Sequence, residues 1–248
     1  MLFKTILILA SIAYMGGAIL IVKGSTNWSR VFIVAGLGCN ILALVSRGYV
    51  AGRWYVYLMT EEVYALPAAI ALVVLGLLHR HGRYGRGIIF IPLVLAALVA
   101  VATPYEPVIP TVKGMTITSP LFFLTESVSA ALFLMAGVLA LDTRIHGVDN
   151  DYLMGRLIMW GFIMFTLCQI AGAVWAFLGW SYPFSWSTRH LLSTSIWCLY
   201  AALLHIHLVR LGSNVKTLLV AGGMLPLVYM IYHHELTNGF NFIIGVLT

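Results

Sequence analysis

Eight stretches of this chain are nearly free of charge and long enough, or almost long enough, to cross a lipid bilayer. They lie near residues 2–22, 31–46, 57–78, 87–103, 119–141, 153–179, 190–211 and 216–232. A spanning helix needs about 20 apolar residues to cross a hydrocarbon layer about 30 Å thick. Backbone N–H and C=O groups find no water in that layer, so only helices or a closed barrel satisfy them there. The runs are continuously apolar instead of alternating at period two, which argues against a barrel. The expectation is an all-α fold, a polytopic transmembrane helix bundle of about eight spans. The second run is short, which leaves seven spans as the alternative.

Composition agrees with that reading. The 248 residues are 61% hydrophobic and only 9% charged, where a soluble domain carries about 25%. So little remains for a soluble part that residues 1–248 read as a single integral membrane domain. The first run has no small-residue cleavage site and is expected to be retained. Cys39, Cys168 and Cys198 all fall within apolar runs with no C-x-x-C pair, so they read as packing residues and not as a disulfide framework, a zinc site or a redox pair.

The net charge of +6 is spread over the ends of the runs. It reads as an orientation signal and implies no nucleic-acid partner. The densest basic cluster, His79 to Arg86, is placed in the cytoplasm. Strict alternation then puts Lys4, Arg47, Arg53, Lys113 and Arg189 outside, together with both chain ends and the loop after the sixth run. The expected location is the plasma membrane of a bacterium or archaeon, or its organellar equivalent, with the lipid bilayer itself as a partner. Residues 47–56 form one longer outer loop. Residues 104–118, with Pro104, Pro107 and Pro110, form an extended second one.

Ionisable groups inside a membrane cost about 2.5–3.5 kcal/mol each on insertion scales, so each asks for a reason. Glu61 and Glu62 open the third run. They point about 100° apart on a helix, and either one can serve a ligand cavity by pairing with Arg47 or Arg53, or simply favour the helix start. Glu126 opens the fifth run and reads as a helix-start charge or as a partner of Arg189 or His190. His205 lies about fifteen residues into the seventh run, roughly 22 Å along it. Neutral histidine is a common haem ligand; the alternative is a buried histidine bonded to a neighbouring helix. His233 and His234 follow the last run on the outer side, as external ligands or as an interfacial cap.

The region from about 172 to 210 is the most distinctive. Trp175, Trp180 and Trp186 stand within twelve residues between two apolar runs. They predict a rigid aromatic shelf at the membrane surface, suited to a planar hydrophobic cofactor.

This region resembles the membrane haem-handling proteins of cytochrome c biogenesis, of the CcsA or ResC type. Their tryptophan-rich outer loop has the form W-A-x-x-x-W-G-x-x-W-x-W-D-P-K-E-x-W, followed by a span containing Y-L-H. Trp175, Ala176, Trp180 and Trp186 fall on it without gaps, and the segment from Tyr200 to His205 follows. A second block, R-x-x-x-x-G-H-x-P-L-S-N-L-Y-E-S, meets Arg47, Gly52 and Glu61 at the same spacing. The departures are Phe184 for a tryptophan, Ser187 for the aspartate, Thr188 for the proline, Arg189 for the lysine and His190 for the glutamate. Glu126 stands about where the family has an outer histidine, and His233-His234 only approximates its C-terminal one.

The resemblance implies a b-type haem with His205 as iron ligand. Trp175, Trp180, Trp186, His190, His233, His234, Glu61 and Arg47 are the candidate haem contacts. It implies that haem is presented to a c-type cytochrome on the outer face with the help of other membrane assembly subunits. Thioether formation needs reduced iron, thiols and positioning, and the chain shows no acid–base dyad or nucleophile. At most it is part of a ligation machine. The alternative is a b-haem membrane subunit working with electron-transfer subunits and a quinone near Glu61. A transporter of amphipathic molecules is a third reading, weakened by the lack of paired broken helices.

Overall fold

The structure, a computed structural model, describes residues 2–50, 59–80, 87–103, 116–206 and 212–232. Among them are eight α-helices and no strand: α1 (Leu2–Val22), α2 (Thr26–Val50), α3 (Met59–Arg80), α4 (Ile91–Ala102), α5 (Thr118–His146), α6 (Asp151–Trp180), α7 (Thr188–Leu204) and α8 (Ser213–Gly222). A 3-10 turn over Gly87–Phe90 leads into α4, and α8 resumes after Gly223 as far as Tyr232. Six helices among the described residues are long and apolar enough to cross a membrane. α7 has 17 residues and α4 only 12. The protein is a polytopic helical bundle.

The helices run alternately up and down, as side-chain contacts at one end of the bundle establish. Phe3 at the start of α1 meets Tyr64 at the start of α3, ring centroids 5.1 Å apart. Arg47 at the end of α2 lies over both rings, and Tyr64 Oη donates to the carbonyl of Thr103 just beyond α4 at 3.5 Å. Trp175 near the end of α6 packs on Phe122 and Phe123 at the start of α5. Arg189 at the start of α7 donates to the carbonyl of Met230, near the end of the chain's last helical stretch. At the opposite end, Arg30 of α2 donates to the Leu78 carbonyl near the end of α3, a cation at a helix C-terminus. There too Asp142 of α5 pairs with His146 at 2.8 Å and accepts from Asn150.

α5 is the central helix. Its spanning window is 78% buried, against 33% for α1, α2 and α6, whose outward faces are left for lipid. It packs on α3, α6 and α8. Lipid tails are as apolar as leucine, so close approach rather than the hydrophobic effect joins such helices. Gly161 of α6 shows it: a Cβ there would stand 2.7 Å from the Phe133 ring of α5. Phe133 in turn stacks on Tyr200 of α7 at 3.5 Å, and Tyr200 Oη donates to the Gly223 carbonyl where α8 breaks.

Two elements differ from the sequence expectation. The second run was expected to be a short span over 31–46, with Arg47 in an outer loop. Instead α2 has 25 residues and holds Arg47 in its last turn. The seventh run was expected to reach 211, but α7 ends at Leu204 with His205 as its C-cap.

Candidate functional site

The site forms where α6 stops and α7 starts. α6 ends at Ser181, a non-glycine residue at φ 65°, whose N–H donates to the Phe177 carbonyl. The chain then turns through Tyr182 to Trp186 and restarts as a helix on Ser187. Ser187 is the N-cap, its side chain accepting from the His190 N–H, as serine does at this position.

The cap also holds a histidine. His190 Nδ1 lies 2.7 Å from Ser185 Oγ and 2.9 Å from Ser187 Oγ. Ser185 Oγ donates to Ser187 Oγ at 3.0 Å and keeps lone pairs to accept from an Nδ1–H. That arrangement suits the tautomer with a bare Nε2. Nε2 itself has no hydrogen-bond partner among the described residues.

Beside His190 opens a cleft of about 270 Å³, lined by Phe122, Trp175, Trp180, Phe184 and Arg189. Trp175 stands 5.6 Å from Trp180, and Phe184 stands 5.6 Å from His190. Gly172 admits Phe122 to this wall, since a Cβ there would sit 2.9 Å from its ring.

Beneath the cleft lies a charged cluster drawn from three helices. Arg189 Nη2 is 2.6 and 2.7 Å from the two carboxylate oxygens of Glu126 and 3.4 Å from Oε2 of Glu62. The Glu62 and Glu126 side chains are 1% and 0% exposed, that of Arg189 14%. Such charge-assisted bonds are short and strong. Glu126 therefore meets Arg189, one of the two partners expected for it. Glu62 also pairs with Arg189; Arg53, one of the partners expected for it, lies outside the described residues. Arg47 lies over the Phe3 and Tyr64 rings.

The other candidates fall elsewhere. Trp186 is 83% exposed; it packs on Phe184 at 5.6 Å but is not part of the cleft lining. His205 is exposed at the far end of α7, its Nδ1 2.8 Å from the Ala201 carbonyl. It is thus about 22 Å along the helix axis from His190 at 1.5 Å per residue. Glu61 opens α3, but its side chain lies outside the described residues, as do His233, His234 and Arg53. No group of three or more potential metal ligands occurs among the described residues. Sequence reasoning missed the two serines that hold His190, although Ser-x-x-His at a helix start is a visible capping pattern.

Part of the chain is similar to curated CcsA cytochrome c biogenesis proteins. It is 34% identical to that of Thermosynechococcus vestitus over 82 residues, which is 33% of this chain and 26% of the relative. Against that of Prochlorococcus marinus it is 36% identical over 76 residues, 31% and 25% of the two chains. Against that of Parasynechococcus marenigrum it is 38% identical over 87 residues, 34% and 28%. The chain thus spans about a quarter of the length of these relatives. No family model matches it, and no solved structure does.

Proposed function

We propose that this membrane protein works in cytochrome c biogenesis, with haem as its cargo, and that the cleft between α6 and α7 is where haem is held for presentation. The observation that carries this is the pairing of a tryptophan-lined cleft with a histidine fixed through Nδ1. A metal-ligating histidine is normally held through its other ring nitrogen in this way, and His190 has both hydroxyls in place. The partial identity to CcsA proteins supports the biological setting.

The cleft's volume, about 270 Å³, lies just under the ~300–1,000 Å³ of pockets that enclose a small ligand. It suits one edge of a planar macrocycle, with the rest left open to a partner. Trp175 and Trp180 supply flat apolar contact, Phe184 closes one side, and His190 offers Nε2. Arg189 forms the polar floor of the cleft, held there by Glu126 and Glu62. Trp186 and Tyr182, both exposed, form an interfacial girdle around the entrance. At the opposite end of α7, His205 is the proposed iron ligand for haem arriving from the inner side. The cleft end is proposed to face outward, toward an apocytochrome c whose thiols complete the reaction. Other membrane assembly subunits would bring the two together.

The test is in the native host. Replacing Trp175 and Trp180 together by alanine is expected to abolish covalent haem on c-type cytochromes while the protein still inserts at normal abundance. Normal cytochrome c levels in that strain would contradict the reading.

A further inference from the structure

The charge of the cluster under the cleft does not balance. Glu62 from α3, Glu126 from α5 and Arg189 from α7 bring two carboxyls to one guanidinium, all nearly sealed from solvent. Among the described residues, no other charged side chain is hydrogen-bonded or ion-paired to these three. Cys168 of α6, within electrostatic reach of both carboxyls, is a buried thiol. Arg47 of α2 lies over the Phe3 and Tyr64 rings.

With both carboxyls ionised, the site would keep a net negative charge in the buried end of the bundle. Isolated buried charges of this kind are avoided by taking up a proton, and two carboxyls sharing one site do so as a pair. The geometry breaks the symmetry. Glu126 takes both short contacts to Arg189 Nη2, while Glu62 has one longer contact through Oε2. Glu62 Oε1 is fully buried and has no hydrogen-bond partner. Both carboxyls meet at the same Arg189 nitrogen, Nη2.

We propose that Glu62, Glu126 and Arg189 form a buried one-proton binding site, with Glu126 as the carboxylate partner of Arg189 and Glu62 as the carboxyl that holds the proton. This does not depend on haem. Its three groups all belong to the chain itself.

Infrared spectra of the full-length protein in lipid nanodiscs test it, because a protonated carboxyl has a C=O band distinct from that of carboxylate. The wild type should show one such band at neutral pH, sensitive to deuterium exchange. E62Q should lose it. E126Q should lose it as well, because the remaining glutamate then pairs one-to-one with Arg189. No band in the wild type, or a band that survives in E126Q, overturns the proposal. If E126Q does not fold, E62Q and E62D decide: the band must vanish in the first and persist at a shifted frequency in the second. A band unchanged in both would overturn it.

Discussion

Arg189 joins the parts of the cleft end: it binds carboxylates from α3 and α5 and a carbonyl close to the end of the last helical stretch. Removing one partner of a buried ion pair leaves an uncompensated charge, which costs about 3–5 kcal/mol. Arg189→Ala is therefore expected to lower thermal stability in detergent by that order, and a loss below about 1 kcal/mol would show that the cluster is only loosely held. His190 depends on weaker neighbours. Replacing Ser185 and Ser187 together by alanine frees Nδ1, and loss of such supporting bonds typically weakens metal affinity 10- to 100-fold. A haem titration of the double variant should show that drop.

The Glu126–Arg189 pair was legible in the sequence, because two opposite charges at expected outer helix starts must find each other. The choice between Glu61 and Glu62 was not. Both glutamates fit the helix start, and only the packing of α3 against α5 brings the Glu62 carboxyl to Arg189.

At the scale of the helices, polar residues hid the ends of α2. Asn27, Ser29 and Arg30 before the apolar run, and Ser46 and Arg47 at its end, read as boundaries. In the fold they are inside the helix: Ser29 donates to the Gly17 carbonyl at 2.8 Å, Ser46 to the Ala43 carbonyl at 2.7 Å, and Arg30 to Leu78. Those partners, apart from the carbonyl of Ala43, lie on other helices, so no local pattern reveals them. The end of α6 has a different lesson. Ser181 occupies the position where the tryptophan motif has glycine, and it has φ 65°. A residue with a Cβ pays about 1–2 kcal/mol in that region. Ser181→Gly should raise stability by about 1 kcal/mol in equilibrium unfolding, without moving the tryptophans. A destabilised variant would mean that the serine side chain supports the turn.

For the whole molecule, apolar length alone predicted a polytopic helical bundle of about eight spans; the bundle is there, and six of the helices among the described residues are long and apolar enough to cross a membrane. α5 as the hub was not visible, because every run is apolar and burial by protein resembles burial by lipid. The alternation of helix ends follows from contacts, but the side of the membrane each end faces is a proposal resting on basic residues. Single cysteines at Tyr182 and Asp149, in a background with Cys39, Cys168 and Cys198 replaced, test it. An impermeant thiol reagent should label position 182 in intact cells and position 149 only after permeabilisation; the reverse pattern would invert the topology.

The most direct measurement is the pyridine haemochrome spectrum of the purified protein, wild type beside His190→Ala and His205→Ala. Wild-type protein with a b-type signal that falls in both variants, most of all in His190→Ala, is the predicted result. Wild-type haem content in His190→Ala, or no haem in any of the three, would contradict the assignment of the α6–α7 cleft as a haem site.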